Sequence, residues 1–214
     1  MIAHHLVDDL LIDYAAGILA ESWSIGVATH LALCPICRKR LDDYEGIGGH
    51  FLECEEAPSS DAGDWNDMLA RIRSSKPDAA VVPTRSADEL LPQPLRSYVE
   101  TAGGLKWRKL PGGAARMKIR TSDRKATIML LKIPAGQSVP EHSHGGLELS
   151  VVLSGRFHDG NALYGRGDVE IADGSITHQP IATTDAECIC LIIMDSPLKF
   201  TSRLVRLIQP FLGI

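Results

Sequence analysis

Over the first third of the chain apolar residues recur every three to four positions, and over much of the rest they recur every second position. Leu10, Leu11, Tyr14, Ala15 and Leu19 lie at helical spacing behind Asp8 or Asp9, either of which can cap, and Gly17 weakens the end. Ser22 is a candidate cap for a second helix that puts Trp23, Val27, His30 and Leu31 on nearly one face. Pro35 suits the first turn of a third helix running from Ile36 toward Tyr44, with Gly46, Gly48 and Gly49 expected to end it. A fourth segment, from about Asp64 to Ser74, repeats the pattern with Trp65, Met68, Leu69 and Ile72, capped by Asp61 or Asp64.

Prolines then break the pattern. Pro77 and Pro83, followed by Pro92 and Pro94, allow only a short helical stretch around Asp88–Leu91, so the joint falls between residues 76 and 92. Beyond it, residues 106–110, 115–120, 126–133, 149–153, 156–164, 168–171, 187–194 and 202–208 read as strands separated by glycine turns. Many short strands without intervening long helices imply a sandwich or barrel rather than an α/β sheet. The expected class is therefore multidomain, α followed by all-β. Its parts are a helical domain over 1–80, a linker over 81–95, a β domain over 96–200 and a terminal strand or tail over 201–214.

A chain of 214 residues is long enough for two modest cores. Its net charge of -5 is uneven: residues 1–75 carry a balance of -8 and the remainder +3. The acidic front does not suit direct nucleic-acid binding, which needs clustered cations, and the basic excess behind it reads as small and dispersed. It suits a basic protein partner. No apolar run approaches the roughly eighteen residues of a membrane span, the longest being Cys188–Met194. Acidic Asp8 and Asp9 near the start argue against a secretory signal, and five cysteines do not suggest a disulfide framework. A cytoplasmic, reducing setting is the expectation.

Two groups of potential metal ligands stand out. In His30-x3-Cys34-x2-Cys37, His30 and Cys34 share a helix face, and the cysteines straddle a proline at a helix start whose field favours thiolates. A nitrogen from His5 or His4 would complete a tetrahedral two-His, two-Cys shell. A dithiol redox pair and inert buried cysteines are the rival readings. His50 and Cys54 fall outside this pattern. In the second group, His142 and His144 lie on one face of a strand, Glu148 opens the next strand, and His178 can close a three-His, one-carboxylate site. These ligands do not choose among zinc, manganese, iron and nickel. His158 has no such company. Cys188 and Cys190 share a strand face, with core packing favoured over a redox role.

Gly136-x5-His142-x-His144-x3-Glu148-x6-Gly155 resembles the first cupin motif, and Gly167 through His178 resembles the second. Asp173 and Ser175 stand where that second motif usually has proline and glycine, and its terminal asparagine is missing. The front half resembles the zinc-binding anti-sigma domain, and the combination is similar to the ChrR-type anti-sigma factors. The resemblance implies a zinc-binding helical bundle followed by a cupin β-barrel. It implies two metal ions, expected to be zinc, on His5, His30, Cys34 and Cys37 and on His142, His144, Glu148 and His178. His5 is preferred to His4 on that pattern. It further implies binding of an extracytoplasmic-function (group IV) sigma factor, with the cupin needed for release under singlet oxygen or organic peroxide. A small molecule or peroxide is then a possible signal at the cupin. Leu6, Val7, Leu10, Leu11, Trp65, Met68 and Leu69 are candidate partner contacts. The competing reading is a metal-dependent cupin dioxygenase, isomerase or hydrolase with a helical accessory domain.

Overall fold

The computed structural model describes residues 1–55, 62–75, 90–123 and 125–202. Most of the expected linker, the Asp61 cap and the expected strand over 202–208 lie outside the described residues. The helices are α1 (Asp8–Ala15), α2 (Glu21–Leu33), α3 (Pro35–Cys54), α4 (Ala62–Ser74) and α5 (Leu95–Thr101). The strands are β1 (Arg108–Lys109), β2 (Ala115–Ile119), β3 (Thr127–Ile133), β4 (His142–Ser143), β5 (Glu148–Ser154) and β6 (Arg156–Asp159). They continue as β7 (Ala162–Gly165), β8 (Val169–Ala172), β9 (Thr177–His178), β10 (Ile181–Ala182), β11 (Cys188–Met194) and β12 (Lys199–Phe200).

Several helix boundaries differ from expectation for local reasons. Val7, not an aspartate, precedes α1, and Asp8 and Asp9 instead occupy its first turn, where carboxylates complement the helix dipole. Ser22 lies inside α2; its N–H is satisfied by Asp123 Oδ2 at 2.7 Å, a cap delivered from the β2–β3 connection. Helix α3 runs ten residues past Tyr44 to Cys54. Gly46, Gly48 and Gly49 have no positive φ, and without the left-handed turn glycine weakens a helix by about 1 kcal/mol rather than ending it. Helix α5 follows Pro94 where no element was expected, and the two-residue strands β10 and β12 carry too little pattern to be read.

The strands form a six-stranded sheet in the order β1-β2-β3-β11-β5-β8 and two three-stranded sheets, β10-β6-β7 and β12-β4-β9. Two-sided burial accounts for the unbroken apolar run of β11. Ile189, Leu191 and Ile193 face one hydrophobic cluster, while Cys188, Cys190, Ile192 and Met194 face another. The second cluster fills the barrel with Met129, Val152, Phe157 and Phe200. The first lies on the outer face of the large sheet and continues into the helices through Leu6, Leu11, Ile25, Val27 and Leu31. The two cores therefore divide inside from outside of the barrel rather than front from back of the chain. Gly26 allows the close approach of α2, because a Cβ there would stand 2.7 Å from Ile193 and 3.0 Å from Leu149.

Candidate metal centres

The first centre forms where the chain start, the end of α2 and the start of α3 meet. Cys34 caps α3, its Sγ accepting from the Cys37 N–H at 3.4 Å. His5 Nδ1 lies 3.3 Å from Cys34 Sγ and 3.7 Å from Cys37 Sγ. The ligand atoms of His5, His30, Cys34 and Cys37 all lie within 4.8 Å of one another. A tetrahedral zinc with ordinary bond lengths has ligand–ligand edges of roughly 3.3–3.8 Å, so these side chains fit a structural ion. His30 adds a second sign of fit. Its Nδ1 meets the Gly167 carbonyl at 2.8 Å, and its buried Nε2 has no hydrogen-bond partner. Burial pushes His30 down to about 4, so its imidazole is the neutral, ligating form at neutral pH. Burial pushes the Cys37 thiol up, while Arg40 Nη1 reaches its sulfur at 3.7 Å.

His4 is turned away from this group, its Nδ1 3.6 Å from Asp168 Oδ1 and its ring 4.3 Å from that of Tyr164. The two adjacent histidines thus separate by side, as alternation along an extended segment requires. Cys54 is exposed and neighbours His50 across one helical turn, apart from the first centre.

The second centre is held by strand register. His142 on β4 pairs directly with His178 on β9, and Phe200 of β12 lies against the other side of His142. His178 Nε2 lies 3.1 Å from His142 Nε2 and 2.9 Å from His144 Nε2. Their outer nitrogens are tied down. His142 Nδ1 meets the Pro140 carbonyl at 2.8 Å, and His178 Nδ1 meets Asp159 Oδ2 at 2.6 Å. This is the outer shell that metal-ligating imidazoles use to fix ring and tautomer. Burial pushes both His142 and His144 down to about 4. Glu148 stands beside this trio rather than within it: its Oε2 is 3.6 Å from His144 Nδ1, and Ser150 donates to its Oε1 at 3.1 Å. Burial raises Glu148 to about 7.

Sequence reasoning did not find Asp159, Asp168 or Glu170, whose roles depend on partners far along the chain. Asp159, Glu170 and His178 bring their ligand atoms within 4.8 Å of one another. The back-half cations were read as dispersed, yet Lys106, Arg108, Arg116, Lys118 and Arg120 line one cavity of about 930 Å³. Alternation of Arg116, Lys118 and Arg120 was the available signal. Cys188 and Cys190 are buried in the barrel with sulfurs 3.6 Å apart. The Cys190 thiol is pushed up by its hydrogen bond with Cys188 and by burial, which disfavours the reactive thiolate.

Among the described residues no helix is long and apolar enough to cross a membrane. Residues 96–196 match the family described as the ChrR cupin-like domain. The anti-sigma-E factor ChrR of Cereibacter sphaeroides is 43% identical over 215 residues, covering 100% of this chain and 99% of that protein. The crystal structure of Rhodobacter sphaeroides SigE in complex with the anti-sigma ChrR matches with a TM-score of 0.76 and 37% identity, over 91% of this chain and 100% of that one. With a relative so similar along its whole length, and a helical bundle set on a cupin barrel, the chain belongs to the ChrR-type anti-sigma factors.

Proposed function

We propose that this protein is a cytoplasmic anti-sigma factor that sequesters an extracytoplasmic-function sigma factor and frees it under oxidative stress. The observation that carries the reading is the full-length similarity to ChrR, whose solved relative is seen with SigE. In this reading the helical domain spans 1–80, the linker 81–95, the cupin 96–200 and the tail 201–214. Zinc on His5, His30, Cys34 and Cys37 shapes the helical domain. A second zinc on His142, His144, Glu148 and His178 occupies the barrel. A zinc ion supplies cross-linking at the first centre, since binding and folding are coupled where ligands come from separate segments.

Of the expected partner contacts, Val7, Trp65 and Met68 are exposed. Leu6, Leu10 and Leu11 are buried in the helical core, so they hold the module together instead of meeting a partner. Trp65, Met68 and Ile72 of α4 are exposed, as are Ile47, Phe51 and Leu52 toward the end of α3. Large apolar side chains displayed on two helices of an acidic domain suit a partner with an apolar, basic face.

The enzyme reading loses ground inside the barrel. Met129, Leu131, Ile133, Phe157 and Met194 crowd the space beside His142 and Glu148, leaving a cavity of about 40 Å³. That admits a few water-sized molecules, against the roughly 300–1,000 Å³ of ligand pockets. A small oxidant fits there where a substrate does not.

Co-expression of the full chain with each extracytoplasmic-function sigma factor of its own genome tests the proposal. One of them should co-purify in equal amount, with two zinc ions per chain, and its run-off transcription should be repressed. Failure of every such factor to co-purify, with transcription unaffected, would sink the reading.

A further inference from the structure

We propose that the Gly165–Asp168 turn of the barrel is the outer shell of the thiolate centre, with Asp168 as a positioning residue for His5 and the Gly167 carbonyl fixing the His30 ring. This rests on reading His5, His30, Cys34 and Cys37 as a metal site. The barrel then sets how tightly the helical domain holds its ion, which gives the two halves a physical means of communication.

The geometry is specific to each ligand. A carbonyl oxygen only accepts, so the 2.8 Å contact from His30 Nδ1 to Gly167 O places the proton on Nδ1. The lone pair is left on Nε2, the buried nitrogen without a hydrogen-bond partner. Asp168 Oδ1 accepts from the Ala3 N–H at 2.6 Å and the His4 N–H at 2.9 Å, and Oδ2 accepts from the Gly165 N–H at 2.8 Å. The His4 carbonyl accepts from the Val169 N–H at 3.4 Å. One carboxylate thus binds the chain start to the entrance of β8, and His5, the next residue, projects toward both sulfurs. Gly167 has φ +90, and a Cβ there would stand 2.5 Å from Ile2 Cδ1. The turn and the chain start are therefore in van der Waals contact as well as hydrogen-bonded.

The same strands serve the other centre. β8 starts at the residue after Asp168 and carries Glu170, which clusters with Asp159 and His178. Asp159 on β6 holds His178 Nδ1. A shift of β8 that follows a change around His178 would move Gly167 and Asp168 with it. Neither group ligates the first ion, so their effect is on orientation, where loss of an outer partner typically weakens metal binding about 10–100-fold.

The test uses the full-length protein loaded with zinc, and with cobalt for its thiolate charge-transfer band. Zinc affinity at each centre is read by competition with a chelator. Asp168→Ala should weaken the thiolate centre by about 10–100-fold and alter the cobalt band, leaving the imidazole centre within about twofold of wild type. Ala3→Pro, which removes one donor to Asp168 at the exposed chain start, should weaken it by about tenfold and keeps the test open if Asp168→Ala does not fold. Thiolate-centre affinity within about twofold of wild type in the folded variants would overturn the proposal, and would show the turn to be packing alone. Absence of a thiolate–cobalt band in the wild-type protein would instead remove the metal site on which it rests.

Discussion

The two centres are built by opposite logic. The imidazole centre gathers ligands from neighbouring barrel strands, and the β4–β9 register alone places His142 opposite His178. The thiolate centre joins the chain start to the α2–α3 corner, two stretches of chain that no strand register aligns. In the barrel the fold positions the ligands, whereas in the helical domain the ligands help to make the fold. An ion should consequently be an accessory to stability in one half and a condition of it in the other.

The largest expected effect exploits that contrast. Cys34→Ser with Cys37→Ser should abolish zinc binding at the first centre and strip much of the helical far-UV signal from residues 1–55. Apparent metal-binding energies of about 10–16 kcal/mol in small zinc domains set the scale of what is lost. His142→Ala with His144→Ala should remove the second ion and leave both helical and strand signals in place. Equal unfolding in the two double variants, followed by circular dichroism, would erase the distinction.

Acid should act next, and on the barrel. In the metal-free protein burial holds His142 and His144 at about 4, whereas an unfolded imidazole takes up its proton near pH 6.5. Between those values each imidazole makes the unfolded chain bind one more proton, so its contribution to stability is full above about pH 6.5 and falls as the pH drops toward about 4. Burial raises Glu148 to about 7 and Glu170 to about 9, and these carboxyls act in the opposite sense across the same window. With Glu148→Gln and Glu170→Gln in place the imidazole part remains, and the urea midpoint should fall across that window by the equivalent of something on the order of a few kcal/mol. A midpoint constant from pH 7 to pH 5 in that metal-free variant would contradict the burial of neutral imidazoles.

A smaller, local effect separates ligand from support. Asp159→Ala removes the acceptor of His178 Nδ1 without removing a ligand. Zinc affinity at the imidazole centre should fall about 10–100-fold, with the thiolate centre changing less. An unchanged imidazole-centre affinity, measured by chelator competition, would mean that the register alone holds His178.

What could be read from sequence follows the range of the interaction. His30-x3-Cys34-x2-Cys37 was legible because one helix turn and one proline fix its geometry locally. The choice between His5 and His4 was not, because it is made by Asp168, more than 160 residues away in the chain. His142 and His144 showed themselves by alternation, and His178 by motif, but Asp159 carries no sign of its role until the fold brings it to His178 Nδ1. The α2 cap failed for the same reason, since Asp123 supplies it across the domain boundary. The glycine run in α3 misled because a weak helix former was read as a stop. The apolar run of β11 was correctly read as a strand, although its two-sided burial depends on helices that pack on the barrel from outside.

The smallest expected effect on stability carries the most information about the partner. Trp65 and Met68 of α4 are exposed and belong to neither hydrophobic cluster. Replacing both with alanine should change the unfolding midpoint by the equivalent of no more than about 0.5 kcal/mol, as at other surface positions. If α4 is the face that receives the sigma factor, the same change should weaken the complex by about 2 kcal/mol or more, because buried aromatic anchors dominate such interfaces. Leu11→Ala should reverse the pattern: a buried helix-core residue, it should cost about 2–5 kcal/mol of stability and affect binding only through folding. Thermal melts and titration of the labelled sigma factor against the three proteins separate the outcomes. Undiminished binding by the Trp65 and Met68 variant would move the partner surface off α4, leaving the far end of α3 as the exposed apolar face to be tested.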